Sequence, residues 1–95
     1  MDTVEKELFS LGTLVATPGA LCALEAAQES PLGYVYRHQS GDWGDAPAGD
    51  QKENERALKN GLRLFSSYLL RNETKIWIIT EADRSVTTIL LPSEY

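Results

Sequence analysis

Cysteine is almost absent: Cys22 stands alone in the whole chain. An internal disulfide is therefore excluded, and so is a four-cysteine zinc site. Histidine is as scarce, with His38 the single copy, and catalytic zinc prefers several His or Cys ligands. No apolar run approaches the roughly 20 residues needed to cross a bilayer, so no membrane partner is expected. The opening stretch, MDTVEKELFSLG, lacks the basic end and long apolar run of a secretory leader. With one free cysteine, that points to a reducing, cytoplasmic location. Basic residues are also few. Nine Lys and Arg face fourteen Asp and Glu, for a net charge of -5. Nucleic-acid affinity comes mostly from neutralising phosphates, so a nucleic-acid partner is disfavoured. There is no P-loop, GxGxxG, HExxH or nucleophile elbow, and no cofactor or metal is expected.

What is present is a globular composition. Hydrophobic residues make up 42% of 95 residues, which suits one domain with a modest core. Residues 1–10 read as a poorly ordered N-terminal segment and 11–95 as a single α+β domain. LGTLVAT (11–17) reads as a short strand. TPGALCALEAAQE begins a helix, with Thr17 as N-cap and Pro18 as first residue. Leu21, Leu24 and Ala27 would form its apolar side, with Cys22 partly buried. SPLGYVYRHQ repeats the signal with Ser30 and Pro31, and Leu32, Val35 and Tyr36 would face inward. SGDWGDAPAG is a loop by its Gly, Pro and Asp content. In DQKENERALKNG, Asp50 and Glu53 have capping-box spacing and Asn60-Gly61 is a helix stop. Asn54 falls on the packing side of this helix. A buried amide needs partners, so backbone of the 40–45 loop or of the sheet should supply them.

LRLFSSYLLR, TKIWIITE and RSVTTILLP are rich in Ile, Leu, Thr and aromatics, as strands are. Two-residue turns at Asn72-Glu73 and Ala82-Asp83 would place Tyr68, Trp77 and Thr88 in one row. Phe65, Leu69, Ile76, Ile78 and Ile89 would then share the core face with Thr80, Ser85 and Thr87. Glu81 and Arg84 would pair across the second turn. The expected fold is an N-terminal strand, three short helices, and a three-stranded antiparallel meander packed on the helices.

The densest stretch is RHQSGDWGD, residues 37–45. His38, Asp42 and Asp45 there resemble a metal set, but one His and two carboxylates do not meet the ligand density of zinc or calcium loops. The structural reading has Gly41 and Gly44 turning the backbone, an aspartate bonding nearby N–H groups, and Trp43 plugging into the body. His38, Asp42, Trp43, Asp45 and Arg84 are the candidate binding residues. A competing reading makes His38 a general acid or base and Arg84 a phosphate clamp, with Ser85 and Thr87 supplying hydroxyls, as in a metal-independent RNase.

LGTLVATPGAL, RHQSGDWGD, ENERALKNGLRLFSSY and IWIITEADRSVTTILLPSEY together resemble a family of small bacterial proteins labelled plasmid-related, some of them labelled type I restriction enzyme subunits. The resemblance runs from Leu11 to Tyr95. It implies an accessory protein of mobile elements and carries no activity over to any residue. A methyltransferase subunit would need a cofactor-binding domain far larger than 95 residues. The expected function is a non-enzymatic protein-interaction or regulatory module with a protein partner.

Overall fold

A computed structural model describes residues 7–95. β1 (Thr13–Ala16) leads into α1 (Pro18–Ala27), α2 (Pro31–Gln39) and α3 (Ala48–Asn60). β2 (Leu64–Leu69), β3 (Lys75–Thr80) and β4 (Val86–Leu90) follow, and a short 3-10 turn spans Pro92–Glu94. The fold is α+β. The last three strands form an antiparallel meander, but β1 does not stand apart from it. β1 pairs in parallel with β4, giving a four-stranded mixed sheet in the order β1-β4-β3-β2. A parallel pair needs a long crossover, here all the intervening helices and strands, and no local turn signal announces it. Gly12 permits the junction. Its φ is +65°, and a Cβ there would overlap the Ser85 carbonyl.

The Pro-led helix starts are made as their caps dictate. The Thr17 and Ser30 hydroxyls accept from the backbone N–H of Ala20 and Leu32, each at 3.2 Å. α3 instead begins at Ala48 behind Pro47, with no side-chain cap. Asp50 lies in its first turn, where its charge faces the positive end of the helix, and the expected capping box is not formed. The buried faces are also rotated from the expected ones. α1 buries Ala20, Leu24 and Ala27 and exposes Leu21 and Cys22. α2 buries Val35, His38 and Gln39 and exposes Leu32 and Tyr36. The reason lies in the sheet, which offers hydroxyls as well as methyl groups for α2 to meet.

Turn geometry decides which strand residues face the helices. The β2–β3 loop has three residues, Arg71–Glu73. The Leu70 N–H donates to the Thr74 carbonyl at 2.9 Å, and Glu73 takes a left-handed φ of 67°. Tyr68 therefore stands opposite Ile76, not Trp77. A one-residue slip turns every β2 side chain over. Leu64, Ser66 and Tyr68 join Ile76, Ile78, Thr80, Thr87 and Ile89 on the inner face, while Phe65 and Leu69 turn outward. The β3–β4 turn spans Ala82–Ser85, two residues more than expected. Trp77 thus meets Leu90 in place of Thr88, and an even shift leaves the faces unchanged. α1 and α2 cover the inner face through Ala20, Leu24, Ala27 and Val35, packed with Tyr68, Leu70, Ile76, Ile78 and Ile89.

β2 is an edge strand, and its outward backbone groups at Phe65 and Ser67 are met where the chain wraps round it. The Asn54 amide donates to the Phe65 carbonyl at 2.6 Å, and its carbonyl accepts the Phe65 N–H at 3.0 Å. Two residues on, the Ser67 N–H donates to the Trp43 carbonyl, and the Asp45 N–H donates to the Ser67 carbonyl. One side chain and one loop so occupy an edge that would otherwise invite another strand. Asn54, buried as expected of its helix position, should not tolerate truncation. Asn54→Ala is expected to cost about 1–3 kcal/mol in urea unfolding, because Phe65 loses two partners at once. Asn54→Asp should be at least as costly, because it buries a carboxylate and sets an oxygen against the Phe65 carbonyl.

Candidate functional site

The 37–45 stretch closes α2 and docks on β2. The last turn of α2 buries His38 completely. Its Nδ1 lies 2.5 Å from the Ser66 hydroxyl and its Nε2 lies 2.9 Å from the Thr80 hydroxyl. The Thr80 and Thr87 hydroxyls are 2.7 Å apart, and Thr87 donates to the Leu11 carbonyl at 2.7 Å. The end of this chain sets the protons of the rest. Thr87 has one proton and gives it to Leu11, so Thr80 donates to Thr87. The Thr80 oxygen then accepts from Nε2–H, and Nδ1 is left to accept from Ser66. The imidazole is held neutral as one tautomer. Burial pushes its pKa down to about 3, with the positive charge of Arg84 adding to the effect.

Around the imidazole the packing is aromatic. Phe9 meets its ring edge-on with centroids 5.2 Å apart, and Trp43 does so at 5.7 Å. Phe9 also stacks on Trp43 at 6.4 Å. The packed chain thus reaches further towards the N-terminus than residue 11. The Leu8 N–H donates to the Gln39 carbonyl and the Gln39 amide donates to the Phe9 carbonyl, both at 2.9 Å. The expectation for residues 1–6 lies outside the described residues. Trp43 is buried, with its indole N–H donating to Glu55 at 3.2 Å. Gly44, at φ +67°, pairs with Ser67 in an isolated parallel bridge, and a Cβ there would overlap the Ser67 carbonyl and the Tyr68 ring.

Arg84 reaches the same cluster from the β3–β4 turn, its guanidinium 5.7 Å above the Phe9 ring. It forms no ion pair with Glu81 among the described residues. It donates instead to four carbonyls: Leu62 at 2.6 Å, Ala57 and Glu81 at 3.1 Å, and Ala82 at 3.2 Å. Two of these lie at the C-terminal end of α3, where a cation is favoured. The bonds also explain why a non-glycine residue holds a φ of 62° there.

The remaining sequence-derived residues lie elsewhere. Asp42 pairs with Arg37 at 2.7 Å near the surface and accepts the Gly44 N–H at 3.1 Å. That guanidinium is the main reason its carboxyl titrates below the usual range. Asp45 is exposed, and only its backbone is engaged with β2. Ser85 is exposed in the turn, with its N–H on the Asp83 carboxylate. His38, Trp43, Thr87 and Arg84 are therefore brought together, but as core. Both imidazole nitrogens are engaged, and the guanidinium faces carbonyls. Among the described residues no group of three His, Cys, Asp or Glu stands close enough to hold a metal ion.

A second region is partly open to solvent. The outer face of the sheet carries Val15, Val86, Thr88, Trp77 and Phe65 around a buried Ile79, and neither α1 nor α2 packs on it. Between this face and α3 lies a groove of about 340 Å³. Phe65, Trp77, Ile79 and Tyr95 line it with Asn54, and the exposed Asp50, Glu53 and Arg63 add charge where it meets solvent. Phe65 and Trp77 meet edge to face at 5.1 Å, and Trp77 and Tyr95 do so at 5.7 Å. The sequence reading did not assemble this groove. Its one signal was Trp77 on the strand face opposite Ile76 and Ile78. Compared with known proteins, the chain matches no family model, no curated protein and no solved structure.

Proposed function

We propose that this protein is a non-enzymatic interaction module that presents the outer face of its sheet to a protein partner, in the mobile-element setting that its family resemblance implies. One observation carries the reading: an aromatic groove opens on a sheet face that α1 and α2 leave uncovered. Apolar surface of this kind, rimmed by charge, marks interaction sites. Support also comes from the residues an enzyme would need. A general acid or base must reach its substrate within hydrogen-bond distance, and the fully buried His38 spends both nitrogens on hydroxyls of its own core. The net charge of -5 works against drawing in a polyanion.

The test uses the full chain as bait in lysate of its native host. Wild type is compared with Trp77→Thr, which removes the groove wall while keeping a good strand residue, and with Tyr95→Ala, at an exposed position. The same protein captured by wild type and lost by both variants, each with unchanged melting temperature, is the expected result. Purified wild type is assayed in parallel against mixed RNA and single-stranded DNA. Cleavage that disappears in a folded His38→Gln variant would overturn the reading in favour of a nuclease.

A further inference from the structure

We infer that the groove between α3 and β3 takes the cationic side chain of an arginine or lysine from the partner. The inference rests on the interaction-module reading and deepens it. Three aromatic rings line the groove, with Trp77 steeply inclined to both neighbours, 81° to Phe65 and 70° to Tyr95, so that they turn their faces in different directions. Ring faces attract ammonium and guanidinium groups through the aromatic quadrupole. The protein shows such a contact itself, since the Arg63 guanidinium stands 5.5 Å over the Tyr95 ring. The volume, about 340 Å³, lies at the small end of the roughly 300–1,000 Å³ of ligand pockets and suits one side chain.

The rim selects the sign of charge. Asp50 and Glu53 are three residues apart and so share one side of α3, above the aromatic floor. Asn54, next along that side, is already committed to Phe65. Glu53 pairs with Arg56 at 3.3 Å, but both side chains are more than half exposed, and such a pair gives way easily to a better-placed cation. Counting the lining alone, two carboxylates against the guanidinium of Arg63 leave one negative charge, which Arg56 offsets from outside the groove until a better-placed cation displaces it from Glu53. Arg63 is thus a competitor. Removing it should help an incoming cation and harm an incoming anion.

The experiment titrates labelled protein with acetyl-Gly-Arg-Gly-amide and acetyl-Gly-Lys-Gly-amide, followed by amide and indole NMR shifts. The norleucine and glutamate tripeptides serve as controls. Saturable shifts at Phe65, Trp77, Ile79 and Tyr95 are expected with the two cationic peptides only, weakening as salt rises. The double variant Asp50→Asn, Glu53→Gln should bind about tenfold more weakly, Tyr95→Ala about fivefold more weakly, and Arg63→Ala several-fold more tightly. Equal binding of the norleucine peptide, absence of saturation, or glutamate binding that Arg63→Ala abolishes would each overturn the inference. The two proposals fail separately. Partner capture that needs Trp77 but ignores the Asp50, Glu53 double variant would keep the module and remove its preference for a cation. Loss of both capture and peptide binding would remove both.

Discussion

Trp43→Ala should lower the melting temperature by about 15 °C or more, corresponding to about 3–5 kcal/mol for a buried large-to-small change in a domain of this size. The ring is only 4% exposed and belongs to a small second core with Ala46, Ala57 and Leu64. That cluster joins the loop, α3 and the start of β2, so a cavity there loosens three elements together. Phe9 and His38 each lose an aromatic neighbour, and Glu55 loses the indole donor. The Trp43 carbonyl is backbone and stays available to Ser67, but only while the loop keeps its position. Trp43→Phe, which keeps a ring in the cluster and gives up the N–H, should lose less than half as much. Urea midpoints of the two variants against wild type read the difference. Equal, small losses in both would mean that the loop is held by its backbone bridge and not by its ring.

How much of this was legible in the sequence depended on whether the signal was local. Thr17-Pro18 and Ser30-Pro31 announced two helix starts because cap and proline stand side by side. The strand character of 75–80 and 86–90 followed from their composition, and Asn54 from a single polar residue on a packing face. The faces of β2 were not legible, because their register hangs on one backbone angle. A left-handed residue at the end of a three-residue hairpin loop is usually glycine, and here it is Glu73. Arg84 hides the second turn in the same way, its φ of 62° secured in part by the Leu62 and Ala57 carbonyls, which only the fold brings near. β1 gave no sign of its partner, since parallel pairing leaves no mark on either strand. At the site, proximity in sequence misled. The crowded 37–45 stretch turned inward to build core. The open groove was assembled from Asp50 and Glu53, Phe65, Trp77 and Tyr95, residues spread over nearly half the chain.

Acid should unfold this protein earlier than its carboxylates alone would require, because of His38. Its folded pKa of about 3 lies below the ordinary 6.5, so between these values the unfolded chain binds a proton that the folded chain refuses. The contribution of the neutral imidazole is complete above pH 6.5 and is lost as pH falls from there towards 3. The slope approaches about 1.4 kcal/mol per pH unit, giving about 2 kcal/mol by pH 5 and about 3 by pH 4. Refusal of the proton has a structural cause. The imidazolium would need acceptors at both nitrogens, and Ser66 would have to turn its hydroxyl proton away from a buried ring walled by Phe9 and Trp43. Among the described residues no carboxylate bonds the ring, and the charged group acting on it is Arg84, of the wrong sign to help. Asp42, Glu29, Asp83 and Glu94 also titrate below their ordinary values and lose stability in the same direction. Their windows open only below about pH 5, near the unfolded carboxylate range. The interval from 6.5 to 5 therefore reports His38 alone, the chain's single histidine. Urea unfolding across that interval should show the wild-type midpoint falling steadily. His38→Gln should start lower, since Ser66 and Thr80 lose a fitted partner, and then stay flat. A wild-type midpoint constant from pH 6.5 to 5, or a variant that falls in parallel with it, would show that the imidazole takes up its proton in the folded state and that the hydroxyl chain does not hold it neutral.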